Sequence, residues 1–210
     1  MTPWAPYLLY PFKLFTTWVH ECGHALMTLM VGGRVTAILI RPDTSGLTLS
    51  LVPAGRLPRG LVASSGYLGA AMVGCLLMTA TRVEKWARLI LLGLGAFMLV
   101  TLVLWIRNLF GFAVVLAWGV GLVALARKSR GSAPRFLLSL LAVQVALNSV
   151  YDIRVLFQID RGNSDAAAMA RLFLLPPWVW ATAWMMISVA MLAATLSMTR
   201  RRGGTAGFWK

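Results

Sequence analysis

Negative charge is nearly missing from this chain. Only six of its 210 residues are acidic: Glu21, Asp43, Glu84, Asp152, Asp160 and Asp165. Histidine is scarcer still, at His20 and His24 alone, and cysteine occurs only at Cys22 and Cys75. Both cysteines lie inside apolar runs, outside any metal-binding cysteine pattern. This excludes a disulfide framework, and both read as small core residues. Charged residues of either sign make up 12% of the chain against 59% hydrophobic. That is about half the charged share that keeps a soluble globule wetted, so a soluble fold is excluded. The N-terminus lacks a basic region and a small-residue cleavage site, so the first apolar segment is expected to be retained.

Positive charge and long apolar runs are what the chain does have. Twenty Lys and Arg leave a net charge of +14. In a soluble protein this would indicate nucleic acid. Here the basic residues fall between apolar runs and in a C-terminal tail over 199–210. They therefore read as anchors on anionic headgroups, with the lipid bilayer as partner and no nucleic acid. Their split across the bilayer, twelve against eight, is too even to orient the chain. The nine Trp suit the headgroup level.

Since about 20 apolar residues of helix cross the hydrocarbon core, the runs at 7–31, 61–81, 87–106, 109–126, 136–157 and 177–198 give six membrane segments. The predicted fold is an all-α polytopic membrane protein of about six transmembrane helices, forming one domain over 1–210. Between the first two segments, residues 32–60 differ in kind. Gly32-Gly33 ends a helix. The β-branched stretch 34–41, the turn Pro42-Asp43-Thr44-Ser45-Gly46 and the alternating Leu47-Thr48-Leu49-Ser50-Leu51 predict a short membrane-associated β-hairpin, an irregular loop being the other reading.

Both histidines fall in His20-Glu21-Cys22-Gly23-His24. On a helix, residues four apart project from one face, so two imidazoles can share a zinc ion, with the Glu between them as general base towards an activated water. An acid within a membrane segment is costly and marks function by default, which singles out Glu21. Hydrogen bonding inside the bundle is the structural alternative, but nothing in packing demands this spacing.

A catalytic zinc takes three protein ligands and one open position. With no third histidine, the third ligand should be a carboxylate. Asp43 and Glu84 lie in expected loops. Asp152 lies within the fifth segment, where Gln144, Asn148 and Asp152 form one polar stripe that must face the interior or a cavity. This makes Asp152 the expected third ligand and Asn148 a contact to the site or to substrate backbone. Asp165 is the alternative, although Asn163-Ser164-Asp165 could equally cap a helix from Ala166.

These elements resemble the site-2 protease family of intramembrane zinc metallopeptidases, in its compact branch. The resemblance rests on the His-Glu-x-x-His element, Gly32-Gly33-Arg34-Val35, Ser45-Gly46-Leu47-Thr48, Gly66-Tyr67-Leu68-Gly69, Tyr151-Asp152-Ile153 and Ser164-Asp165-Ala166. It covers about residues 15–185. It implies His20 and His24 as zinc ligands, Glu21 as general base, an aspartate from a later helix, and a hairpin that docks an extended substrate by strand addition. It implies a multi-pass protein of a bacterial-type cell membrane that cleaves transmembrane or membrane-proximal segments of membrane proteins. The family's aspartate precedes glycine, whereas Asp152 precedes Ile153 and the chain has no Asp-Gly pair. A catalytically inactive relative that binds metal or a partner is the alternative. Metal-assisted hydrolysis of a lipid or modified peptide would use the same activated water.

Overall fold

The computed structural model describes residues 5–81, 84–129, 132–156 and 164–203, with side chains left undescribed at 5–6, 84–85, 149, 151–156 and 199–203. In chain order the elements are α1 (Ala5–Met30), β1 (Arg34–Ile40), β2 (Gly46–Leu51), α2 (Arg56–Ala80), α3 (Glu84–Leu104), α4 (Leu109–Lys128), α5 (Ala133–Leu156), α6 (Asp165–Phe173) and α7 (Pro177–Gly203). Among the described residues, four helices, over Arg56–Ala80, Trp86–Leu104, Leu109–Lys128 and Pro177–Met198, are long and apolar enough to cross a membrane. The expectation of six is met for these four. Polar residues break the apolar run of α1 at Lys13, His20, Glu21 and His24, and in α5 the described side chains give the shorter apolar stretch Ala133–Asn148.

α1 has two working faces. Leu14, Phe15, Trp18, Cys22 and Ala25 recur at helical spacing and are buried in a core with Met98 and Leu102 of α3 and Leu138, Leu141 and Val145 of α5. The Trp18 indole donates to Thr101 Oγ1 at 3.0 Å, which satisfies a buried N–H inside that core. Lys13, Thr17, His20 and His24 form the other face and line a cleft. Both cysteines are free and buried, as the sequence indicated. α1 ends where Gly32 adopts φ 79°, a left-handed cap that an L side chain resists.

The hairpin forms at the expected place. β1 and β2 pair antiparallel from Arg34↔Leu51 to Ile40↔Gly46, with a register shift at Thr36. In the turn, the backbone N–H and hydroxyl of Ser45 both donate to Asp43 Oδ1, at 3.0 and 2.7 Å. These donors hold the solvated Asp43 carboxyl below its usual range. The alternation in β2 is real, but its sense is inverted relative to a soluble strand. Leu47, Leu49 and Leu51 are exposed, while Thr48 and Ser50 are turned towards the cleft.

The α3–α4 connection is longer than a bare turn, because it serves the sheet. Ile38 N–H donates to the Trp105 carbonyl at 2.7 Å, and Arg107 N–H donates to the Ile38 carbonyl at 3.2 Å. The Asn108 amide completes the seal. Its Nδ2 donates to the Ile40 carbonyl at 2.6 Å and its Oδ1 accepts from Ile40 N–H at 3.2 Å. The outer edge of β1 is therefore closed. The sheet has only two strands, so among the described residues no further strand lies against the outer edge of β2.

α2 begins at Arg56, a turn and a half before the expected 61. Pro58 is tolerated there because the first turn of a helix needs no N–H donor. The nine-residue α6 starts at Asp165, one residue before the helix start that the sequence allowed, and is too short to cross a membrane. It packs on α2 and α7 through Ala166 and Met169, within a second core cluster that includes Tyr67 and Trp184.

Candidate metal centre

The hairpin is tied to α1 along its polar face. Tyr10 donates its hydroxyl to the Pro42 carbonyl at 2.7 Å, Thr17 to the Thr44 carbonyl at 2.7 Å, and Thr48 to Glu21. The hairpin, α1, α2 and α6 thus enclose a cleft of about 650 Å³ with both histidines and Glu21 in its wall.

His24 is 8% exposed, and its Nδ1 lies 2.7 Å from the Val62 carbonyl. A carbonyl can only accept, so Nδ1 carries the proton and Nε2 presents its lone pair to the cleft. This is the tautomer in which a histidine ligates a metal. The His20 ring is held edge-on by Tyr67, with centroids 4.6 Å apart, and Tyr67 stacks in turn on Trp184. The two Nε2 atoms are 3.0 Å apart.

The third group at this point is Asp165, the first residue of α6. Its Oδ2 lies 3.3 Å from each Nε2. Ser164 caps the helix by accepting from Ala167 N–H at 3.2 Å, which aims the adjacent Asp165 inwards. Ser164 makes the cap that the tripeptide allowed, and Asp165 faces the histidines. A carboxylate oxygen beside two imidazole nitrogens is a donor set that zinc accepts.

These three atoms fit zinc. Ligands at about 2.0–2.1 Å in tetrahedral geometry are separated from one another by roughly 3.3 Å, and the observed edges are 3.0, 3.3 and 3.3 Å. The backbone of α2 also lies close to both rings. A methyl group at Gly66 would collide with Nε2 of both histidines, so the backbone of α2 can approach the site only because residue 66 has no side chain.

Glu21 is 5% exposed. Its Oε2 accepts from Thr48 Oγ1 at 2.6 Å, and its carboxylate packs directly on Gly46. Asn148 lines the same cleft and donates to Thr16 Oγ1 at 3.2 Å, which ties α5 to α1 beside the site. Of the expected residues, the structure therefore brings His20, Glu21, His24 and Asn148 together. Asp152 lies in α5 one turn beyond Asn148, and its side chain is outside the described residues. Among the described residues the carboxylate that joins the two histidines is Asp165. Thr48, Gly66, Tyr67 and the Val62 carbonyl are contributions that periodicity alone does not reveal. The only sequence signal for the first three was their presence in short motifs rich in glycine.

No curated protein and no solved structure matches this chain. Residues 1–195 match the family model described as Peptidase M50B-like. That match covers nearly the whole chain and includes every residue of the centre just described, so the protein belongs to the peptidase M50B-like family, within the site-2 proteases.

Proposed function

We propose that this protein is a zinc-dependent endopeptidase that cleaves transmembrane or membrane-proximal segments of other membrane proteins. The observation that carries this reading is the near-equilateral triangle of His20 Nε2, His24 Nε2 and Asp165 Oδ2, with the carboxylate of Glu21 in the same cleft. His20, His24 and Asp165 would hold the ion. Bound there, zinc supplies Lewis acidity towards a carbonyl oxygen and lowers the pKa of water towards neutrality.

The protein's own residues perform the remaining tasks. Glu21 accepts a proton from the attacking water and returns it to the departing amine, so its carboxylate begins and ends the cycle ionised. Val62 and Tyr67 fix the imidazoles. The β2 edge, polar towards the cleft and without a further strand among the described residues, offers N–H and C=O groups to an extended chain. A substrate helix in lipid has its backbone groups paired internally, so it must unwind before its carbonyl becomes accessible. Strand addition to β2 replaces the hydrogen bonds that unwinding removes.

The experiment is a proteomic comparison of membranes containing the wild type with membranes containing Glu21→Gln, together with zinc analysis of both purified proteins. The expected result is a set of membrane-protein fragments present only with the wild type, and about one zinc per chain in both. Equal fragment sets with full zinc would leave a metal-binding scaffold and refute the peptidase.

A further inference from the structure

Thr48 stands on the docking strand yet points at the acid of the zinc motif. Its Oγ1 lies 2.6 Å from Glu21 Oε2 and 3.1 Å from the main-chain carbonyl oxygen of the same residue. A hydroxyl has one proton to donate. The shorter contact falls in the range of about 2.5–2.7 Å found for a hydroxyl donating to an ionised oxygen, so the proton is directed at Oε2. The longer contact is a second acceptor within reach.

Glu21 has few other ways to hold its orientation. Its side chain is almost wholly buried, and Thr48 is the one hydrogen-bond donor to its carboxylate among the described residues. On its other flank the carboxylate lies against the backbone of Gly46, the first residue of the same strand, where a methyl group would strike it. Two residues of β2 thus set the carboxylate's position, one by donating to it and one by leaving room.

We infer that Thr48 is the positioning residue of the general base. Its hydroxyl holds Oε2 while Oε1 rests against Gly46, which fixes the plane of the carboxylate, and it joins the strand that receives the substrate to the acid that acts on it. This rests on the reading of Glu21 as base.

The test needs a readout on Glu21 itself. Glu21 and Glu84 are the only two glutamates of the chain. Protein labelled with 13C at the glutamate carboxyl therefore gives two carboxylate bands by isotope-edited infrared spectroscopy, and Glu21→Gln identifies which is which. In the zinc-loaded protein, Thr48→Val should displace the Glu21 band and leave that of Glu84 in place, whereas Thr48→Ser should keep the wild-type band. Valine matches threonine in shape and strand preference, so the hairpin is retained. With fluorescently labelled casein in detergent as probe, Thr48→Val should lower kcat about tenfold or more, part of the roughly 10²–10⁴-fold that acid–base catalysis contributes. KM should stay within about twofold, and Thr48→Ser should restore most of kcat, because serine supplies the same donor. An unmoved Glu21 band in Thr48→Val, or a loss expressed in KM alone, would overturn the inference. Failure of the peptidase reading looks different. If wild type and Glu21→Gln treat the probe alike while the band still moves in Thr48→Val, the hydrogen bond stands and its catalytic role falls with that reading.

Discussion

Gly66→Ala tests the metal centre without touching any proposed ligand. An added methyl carbon would stand 2.5 Å from His24 Nε2, whereas ordinary contact begins at 3.4 Å. Something must therefore move by about 0.9 Å. His24 cannot yield easily, because its Nδ1 is bonded to the Val62 carbonyl, and His20 is wedged against Tyr67. A zinc site tolerates displacements of roughly 0.2 Å in its bonds, so the required shift is several times too large. Loss of ligand orientation alone typically lowers metal affinity about 10–100-fold, and displacement of both imidazoles at once places this variant at or beyond the upper end. The assay is zinc per chain by mass spectrometry after dialysis against a weak chelator, with a thermal melt on the same sample. Gly69→Ala is the matched control, since its methyl would meet its nearest neighbour, Gly23 Cα, at 3.6 Å. The expected result is zinc near zero in Gly66→Ala and near one in Gly69→Ala, both folded. Full zinc in a folded Gly66→Ala would refute the claim that the ion sits between these two imidazoles beside α2.

Further outcomes follow from the same geometry. Asp165→Asn should lose zinc while Asp152→Asn keeps it; the opposite pattern in dialysed protein would move the third ligand to α5. Glu21→Gln should retain zinc and lose cleavage of labelled casein by at least about 10²-fold, the lower range for removing a general base; wild-type turnover would refute its role. Asn108→Ala removes both hydrogen bonds that seal the edge of β1 at Ile40. It should destabilise the protein by about 1–3 kcal/mol through the unpaired backbone groups, and hydrogen exchange should accelerate at Ile40 N–H.

The parts of this molecule written in local pattern were readable from the chain. The hairpin bounds, the Gly32 cap, the solvated Asp43 turn and the pairing of His20 with His24 on one helical face each depend on residues within a few positions of one another. α6 was legible only as a helix that Asn163-Ser164-Asp165 could cap, because its nine residues are too short to register as a span. For the third carboxylate the sequence favoured Asp152 over Asp165 because Asp152 lies in an apolar segment, but the distance from α1 to either is a property of packing, and among the described residues Asp165 is the one beside the histidines. The polar stripe through Asn148 did find the cleft. The role of Thr48 was disguised by its setting: alternation in β2 was visible, but a soluble strand would have turned the leucines inwards and the hydroxyls out. A bilayer reverses that preference, so that the polar side of the strand is the one that faces the chemistry.

The triangle of ligands also has a consequence in time. His20 and His24 belong to the first helix, whereas Asp165 follows four further helices and the hairpin in chain order. A growing chain therefore carries two nitrogens and a buried acid through most of its synthesis without the third corner. On the proposed reading as a peptidase, the protein would enter the membrane without activity. The centre would acquire its third corner only when α6 settles against α2 and closes a loop of roughly half the chain.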